Sequence, residues 1–149
     1  MRIAALDIGG TSIKSGIWDG AQVSELRECD TNAKEGGARL MERAVEILKG
    51  YQPFDAIGIS TAGQVDTGAG SIYYANDNIP GYTGMEVRRI LEDTFHVPVT
   101  VENDVNAAAV GEAQFGAAKG QPDFLCLTYG TGVGGAVVIG GQVYTGSTW

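Results

Sequence analysis

Residues 3–18 read Ile-Ala-Ala-Leu-Asp-Ile-Gly-Gly-Thr-Ser-Ile-Lys-Ser-Gly-Ile-Trp, two apolar runs of β type on either side of a glycine turn. The turn is Asp7-Ile-Gly-Gly-Thr11, and Asp19-Gly20 after the second run is a hairpin signal. Glycines adopt positive φ and let the backbone pass close to a ligand, so that successive N–H groups can converge on phosphate oxygens. The segment therefore predicts a β-hairpin with a phosphate-binding turn. The candidate phosphate-binding residues of this first turn are Gly9, Gly10 and Thr11.

A second segment repeats this order further along the chain. Residues 124–127 form an apolar run, Thr128-Tyr-Gly-Thr-Gly-Val-Gly-Gly135 is a glycine turn, and residues 136–139 form the next run before Gly140-Gly141. Strand, glycine turn, strand and tight hairpin thus occur twice, which indicates one structural unit that is duplicated. Either turn taken alone is equally consistent with an ordinary β-hairpin, but together they predict paired phosphate-binding turns. The candidate residues of the second turn are Gly130, Thr131 and Gly132.

Two other phosphate-binding motifs do not fit these residues. Gly130, Gly132 and Gly135 have the spacing of a dinucleotide-binding motif, but that motif opens a helix and needs an acidic residue about 20 positions later. A β-type run follows instead, and no acidic residue occurs after Asp123. No segment matches the P-loop pattern G-x-x-x-x-G-K-[ST]. The sequence therefore disfavours a Rossmann site and excludes a P-loop.

Composition narrows the class of protein. The chain has 149 residues, of which 44% are hydrophobic and 19% charged, as is typical of a globular domain with one core. The 18 acidic and 10 basic residues give a formal net charge of −8 without a basic stripe, so we expect no nucleic-acid partner. Asp7 interrupts the first apolar run too early for a signal peptide, and no run approaches the length of a membrane span. We therefore expect a cytoplasmic protein without a membrane partner.

Apolar periodicity predicts the elements between the two turns. Strand-like runs occur at 23–29, 54–60 and 99–101, and helical spacing predicts helices at about 37–50, 85–95 and 105–117. Residues 61–84 are rich in glycine and predict a long loop. This order indicates an α/β sheet with helices on its faces. We predict a first unit at residues 1–117 and the beginning of a second lobe at 118–149, a segment that itself contains nothing to cover the second hairpin.

The segment Glu102-Asn-Asp-Val-Asn106 lies where a predicted strand ends and a helix begins, the place where open α/β sheets present their ligand-facing groups. Asp104 is the candidate catalytic carboxylate, because a kinase needs a carboxylate near the acceptor hydroxyl. Asn103 or Asp104 is equally suited to cap the following helix, so the residues alone leave cap and catalyst open for Asp104. As a kinase, the protein would use Asn103 for substrate hydroxyls, Asp7 for Mg²⁺ through water and Lys14 for phosphate charge, although an exposed strand lysine is the more common case for a residue such as Lys14.

These segments together resemble a known family. Along essentially its whole length the chain is similar to the N-terminal part of ROK-family sugar kinases, within the actin, hexokinase and Hsp70 ATPase superfamily. The two glycine turns resemble the family's phosphate motifs, and Glu102-Asn-Asp-Val-Asn-Ala107 resembles its catalytic segment. The resemblance implies an actin-like ATPase (ribonuclease H-like) α/β domain with a mixed sheet flanked by helices, followed by the opening β-hairpin of a second lobe.

The resemblance also implies roles for individual residues. Asp104 would be the base that activates a sugar hydroxyl, usually the 6-hydroxyl of a hexose, for attack on the γ-phosphate of ATP in the presence of Mg²⁺. Ala62-Gly-Gln-Val-Asp66 resembles a sugar-contacting loop that usually reads Pro-Gly-x-Val-Asp, and Asn78-Ile-Pro-Gly-Tyr82 resembles Asn-Leu-Pro-Gly-Trp. Ala62 and Tyr82 depart from these patterns, and we expect them to lie near the sugar and affect specificity more than reaction type. The candidate sugar-binding residues are Gly63, Asn78, Asn103 and Asp104.

Further features of the family are expected outside residues 1–149. Its Glu-x-Gly-His segment and its cysteine-rich zinc loop have no counterpart here, so we expect part of the sugar site, a structural zinc and a homodimer only in a longer protein, and no activity from residues 1–149 alone. The sugar stays open among glucose, N-acetylmannosamine, fructose and β-glucosides. Two alternatives are a sugar-responsive transcriptional regulator of the same family and a non-kinase actin-like ATPase module. The regulators carry a DNA-binding segment ahead of this domain, and the non-kinase modules are expected to lack the Asn103-Asp104 pair.

Overall fold

The chain folds into ten strands and three α-helices, as a computed structural model that describes residues 1–130 and 132–147 shows. The helices are α1 (Gly37–Lys49), α2 (Val87–Phe95) and α3 (Asp104–Phe115), and a short 3-10 turn at Ala33–Glu35 precedes α1. The strands are β1 (Ile3–Ile8), β2 (Ser12–Trp18), β3 (Val23–Asp30), β4 (Ala56–Thr61), β5 (Gln64–Asp66), β6 (Ser71–Tyr74), β7 (Val99–Asn103), β8 (Phe124–Tyr129), β9 (Val133–Ile139) and β10 (Gln142–Val143). Among the described residues, no helix is both long and apolar enough to cross a membrane.

A five-stranded mixed sheet in the order β3-β2-β1-β4-β7 forms the centre of the fold. The first three strands are antiparallel, and β1, β4 and β7 are parallel. Alternate residues of β1, Ala4, Leu6 and Ile8, are buried in one core together with Leu48 of α1 and Leu91 of α2. Because side chains alternate along a strand, Asp7 and its neighbours on the other strands lie on the opposite face of the sheet. The α/β fold with a mixed sheet is therefore as expected.

A second sheet, β10-β9-β8, packs on α3. Val105 and Ala109 of the helix are buried against Ala136 and Val138 of β9. The second hairpin is therefore covered by α3, a helix that precedes the predicted boundary, and not by residues 118–149 themselves. The sequence did not indicate this contact. The division at residues 117 and 118 stays a prediction.

The two glycine turns lie in equivalent places of the two sheets. One joins the antiparallel strands β1 and β2 and the other joins the antiparallel strands β8 and β9, and each pair is followed by a third antiparallel strand. The repeated order of strand, turn, strand and hairpin is therefore present in the structure.

Residues 61–84 contain a small hairpin, β5–β6, where the sequence predicted a long loop. The two strands have three and four residues, too few to show a periodic pattern, and bury only Val65 and Ile72. A distant residue holds the hairpin turn. Arg88 of α2 donates from its guanidinium to the carbonyls of Thr67 (2.8 Å), Gly68 (2.7 Å) and Val99 (3.1 Å). This hairpin therefore depends on tertiary contacts that local sequence does not reveal.

Gly70→Ala should destabilise the protein more than Gly81→Ala. Both glycines have the same unfavourable backbone angle for other residues, with φ of +69° and +68°. A Cβ at Gly81 meets nothing within 4 Å, whereas one at Gly70 collides with Cβ of Arg88 and lies 2.7 Å from its Nε. We expect the strain alone to cost about 1 kcal/mol at Gly81, and strain plus collision to cost about 2–3 kcal/mol at Gly70. Urea unfolding of both variants measures these costs, and equal losses would contradict the proposed role of Arg88.

Candidate active site

Asp104 lies at the edge of the central sheet where three parallel strands end. Ile8, the last residue of β1, is level with Thr61 at the end of β4, which in turn is level with Asn103 at the end of β7. The first glycine turn, the loop that begins at Ala62 and the first residue of α3 therefore leave the sheet side by side. The arrangement brings together segments that the sequence separates by more than 90 positions.

The side chain of Asn103 links the start of α3 to the loop that follows β4. Its Oδ1 accepts hydrogen bonds from the N–H groups of Val105 (3.0 Å) and Asn106 (3.1 Å), which caps α3. Its Nδ2 donates to the carbonyl of Gly63 (2.8 Å) and to Oδ1 of Asp104 (2.9 Å). An amide has two donor and two acceptor positions, so all four are in use. The cap that the sequence left open between two residues thus belongs to Asn103.

Asp104 keeps one oxygen free for chemistry. Its Oδ1 accepts from the N–H of Val105 (2.9 Å) as well as from Asn103, whereas Oδ2 accepts no hydrogen bond from the described residues. Burial raises the pKa of Asp104 above its ordinary value of 3.8, and the charge of Asp7 raises it further, against the lowering effect of the bonds from Val105 and Asn103. A carboxylate with a raised pKa is a stronger proton acceptor, which suits a general base.

Asp7 is the second carboxylate of this edge. It is exposed, and the hydroxyl of Ser60 donates to its Oδ1 (2.8 Å). Lys14 stands opposite Asp7 on β2, and Glu102 stands opposite Ser60 on β7. These four side chains form a polar row across the sheet and line one groove of about 550 Å³. Lys14 is exposed at the end of this row, and its role toward phosphate stays a prediction.

The glycines of the two turns differ in what requires them. A Cβ at Gly9 would lie 3.0 Å from the carbonyl of Ser12, so the tight turn itself needs this glycine. A Cβ at Gly10, Gly130 or Gly132 would meet nothing within 4 Å, and Gly9, Gly10 and Gly130 do not have positive φ, contrary to our expectation. Backbone conformation therefore does not require glycine at positions 10 and 130, and close approach of a phosphate to these residues stays a prediction. Thr131 lies outside the described residues.

The model of the ROK family matches residues 3–148. The chain belongs to the ROK family. A ROK relative, the glucokinase of Streptomyces coelicolor, is 36% identical over 95% of this chain and 44% of that protein. The solved ROK hexokinase from Thermus thermophilus is 40% identical, with a TM-score of 0.83 over 99% of this chain and 50% of that one.

A further ROK structure was solved with ligands. The glucokinase from Streptomyces griseus in complex with glucose and AMPPNP is 31% identical, with a TM-score of 0.87 over 98% of this chain and 47% of that one. The chain thus spans about half the length of the relatives it matches. These comparisons confirm the family and the actin-like ATPase fold that the sequence resemblance implied.

Two segments that resemble sugar-contacting loops lie near this edge in different ways. The carbonyl of Gly63 accepts from Asn103. Gly63 has φ of +100°, and a Cβ at this position would lie 2.9 Å from the carbonyl of Tyr74, so the site is restricted to glycine. Asn78 is exposed, and its N–H donates to Oδ1 of Asn76 (3.1 Å) in a turn. For both Gly63 and Asn78, sugar binding stays a prediction.

Tyr82, a departure from the family pattern, is fully buried rather than exposed to a ligand. Its hydroxyl lies 2.9 Å from Oγ1 of Thr61, and burial raises the pKa of Tyr82 to about 12, so that the hydroxyl stays neutral. Tyr82 therefore contacts the end of β4 through Thr61, and its effect on sugar specificity stays a prediction. The sequence did not indicate this, nor that the hydroxyl of Thr31 supports the first turn by donating to the carbonyl of Gly9 (2.7 Å).

Ionisation of Asp104 should lower the stability of the protein. Because its pKa is raised in the folded state, the folded protein binds this proton more tightly than the unfolded chain does. The free energy of unfolding should therefore fall as pH rises from 3.8 through the raised pKa, and this contribution should be constant above it. Asp104→Asn should lack this pH-dependent contribution to the free energy of unfolding. Asp7→Asn should narrow the pH range over which the contribution changes, because removal of the Asp7 charge brings the pKa of Asp104 closer to its ordinary value. Urea unfolding at a series of pH values tests this, and a difference between wild type and Asp104→Asn that is independent of pH would contradict it.

Proposed function

We propose that the intact gene product transfers the γ-phosphoryl group of ATP to a hexose or hexose derivative, at its 6-hydroxyl, with Asp104 as the base. The observation that carries this proposal is the position of Asp104 in a chain of the ROK family. Asp104 lies at the sheet edge where the first glycine turn and the loop containing Gly63 begin.

Asp104 and the acceptor hydroxyl would exchange a proton during transfer. The sugar oxygen attacks the γ-phosphorus, the bond to the β-phosphate oxygen breaks, and Asp104 takes the hydroxyl proton on Oδ2 as ADP leaves. Phosphoryl transfer has a loose transition state, so the protein contributes mainly position and charge. The bonds from Asn103 and Val105 to Oδ1 hold the carboxylate and leave Oδ2 free to accept this proton.

Asp7 fits a magnesium ion that is held mostly by water and phosphate. Mg²⁺ prefers oxygen ligands and is commonly bound by one or two carboxylates plus waters. Asp7 offers an exposed carboxylate at the sheet edge, and no group of three or more His, Cys, Asp or Glu side chains in the described residues is placed to hold a metal. The ion would neutralise phosphate charge. Asp7 is therefore proposed to hold it through water.

The remaining roles follow from the same site. Phosphate would be bound by the two glycine turns, at Gly9, Gly10, Thr11, Gly130, Thr131 and Gly132, with Lys14 beside the first. The sugar would contact Gly63, Asn78 and Asn103. Asn103 must then exchange one of its present bonds for a sugar hydroxyl, because all its positions are in use. We further propose a cytoplasmic protein, with the nucleotide between the two lobes, and with the structural zinc and a homodimer contact outside residues 1–149.

A coupled assay of ADP release over a panel of sugars tests this function. We expect the intact gene product to consume ATP only with one sugar class among glucose, N-acetylmannosamine, fructose and β-glucosides, and phosphorus NMR to place the ester on the 6-position. DNA binding without phosphorylation of any sugar would favour the transcriptional regulator instead. ATP hydrolysis that does not depend on sugar would favour a non-kinase ATPase module.

A further inference from the structure

Glu102 is a carboxylate at the site that the proposed reaction does not use. It lies one position before the end of β7 and is half-buried. Its Oε1 accepts from the backbone N–H of Asn103 (2.8 Å) and from Nδ2 of Asn106 (3.0 Å). Two donors, one before and one after Asp104, therefore converge on a single oxygen.

These bonds close a ring of Glu102, Asn103 and Asn106, and Asp104 lies in the segment that this ring spans. Asn106 donates its N–H to Oδ1 of Asn103 and its side-chain amide to Glu102, which holds the N–H of Asn103. Asn103 has extended backbone angles, with φ −63° and ψ 145°, and the helix starts at the next residue. The ring thus fixes the point where the chain changes from strand to helix. Asp104 is the residue at that point, and its orientation depends on this change.

We propose that Glu102 is a positioning residue for Asp104. Glu102 holds the turn from β7 to α3, so that Oδ2 of Asp104 stays at the acceptor hydroxyl. This inference rests on the proposed function. In this role Glu102 acts through its contacts with Asn103 and Asn106. What the ring needs from Glu102 is an acceptor oxygen, and a glutamine supplies the same oxygen without the charge.

Glu102→Ala and Glu102→Gln should therefore differ. A small misplacement of a catalytic group costs large factors in rate, so we expect Glu102→Ala to lower kcat by about 10- to 100-fold in the intact gene product, with nucleotide affinity unchanged. Glu102→Gln should keep kcat within about 3-fold of wild type, because it preserves the bonds to Asn103 and Asn106. Equal losses in the two variants would overturn the proposal, since the charge and not the acceptor would then matter.

Glu92 of α2 provides a matched control, because its side chain also accepts a backbone N–H of β7. Its Oε1 accepts from the backbone N–H of Val99 (3.2 Å), at the opposite end of β7 from the site. Glu92→Ala should lower thermal stability like Glu102→Ala but leave kcat unchanged. A comparable fall in kcat for Glu92→Ala, or wild-type kcat in Glu102→Ala, would overturn the positioning role.

Amide hydrogen exchange gives a readout that needs no turnover. The N–H groups of Val105 and Asn106, which Asn103 caps, should exchange at least about 10-fold faster in Glu102→Ala and at wild-type rates in Glu102→Gln. If wild type phosphorylates no sugar, the proposed function fails, and the exchange rates still decide whether Glu102 holds the turn. Unchanged exchange in Glu102→Ala would overturn the inference on its own.

Discussion

Asp104→Asn should lower the rate of sugar phosphorylation by about 1000-fold and leave nucleotide binding unchanged. The asparagine keeps an oxygen where Oδ1 accepts from Val105 and Asn103, so the start of α3 stays intact. Its amide nitrogen replaces the free Oδ2 and cannot take a proton from the acceptor hydroxyl. The fold and the phosphate site should therefore survive while the base is lost.

Steady-state kinetics with the sugar identified by the panel measures this loss, and calorimetry with a non-hydrolysable ATP analogue measures nucleotide affinity. Asp123→Asn is a suitable control, because Asp123 likewise accepts a backbone N–H, from Gly140 (2.7 Å), on the second sheet. The control should retain wild-type kcat. Undiminished phosphorylation by Asp104→Asn would refute the assignment of the base, and a parallel loss of nucleotide binding would show that the substitution damages more than the base.

Asn103→Ala should reduce both stability and phosphorylation. Loss of the cap of α3 costs about 1 kcal/mol, and loss of the bond to the Gly63 carbonyl costs about 1 kcal/mol more. Phosphorylation should fall by about 100-fold, because the carboxylate of Asp104 loses a donor that orients it. Thermal or urea unfolding and steady-state kinetics measure the two effects in the same variant.

Asn103→Ser separates the role of Asn103 as the cap of α3 from its hydrogen bonds to Gly63 and Asp104. Serine is a good N-cap, so this variant should regain most of the stability that Asn103→Ala loses. Its short side chain cannot donate to both the Gly63 carbonyl and Asp104, as the asparagine does over 2.8 and 2.9 Å, and phosphorylation should stay low. If Asn103→Ser restored phosphorylation together with stability, the contribution of Asn103 would be the cap alone.

Local patterns were sufficient for much of the fold. The hairpin β1–β2 and helix α1 follow from alternation and helical spacing, which act over a few neighbouring residues. The hairpin β5–β6 was missed because its strands are too short for a pattern and Arg88, far along the chain, holds its turn. The cover of the second sheet was missed because α3 serves two sheets, while its sequence shows only that it is apolar.

The candidate site also has features that follow from local sequence and features that do not. The motif at the end of β7 made Asp104 and Asn103 candidate site residues, since a carboxylate between a strand and a helix is a local feature. The motif left open which residue caps α3, because both have suitable side chains. It also gave no role to Glu102, whose partners are set by the turn geometry. The family resemblance suggested an effect of Tyr82 on specificity but not its burial against Thr61.

Periodicity, turn chemistry and motif spacing therefore determined the longer strands, the three helices and the candidate acidic residue without reference to coordinates. The convergence of β1, β4 and β7 at one edge, the cap at Asn103 and the free oxygen of Asp104 depended on the folded chain. The physical reason is distance along the sequence. Nδ2 of Asn103 donates to a carbonyl 40 residues away, and a contact of that kind exists only once the sheet has brought the two strand ends together.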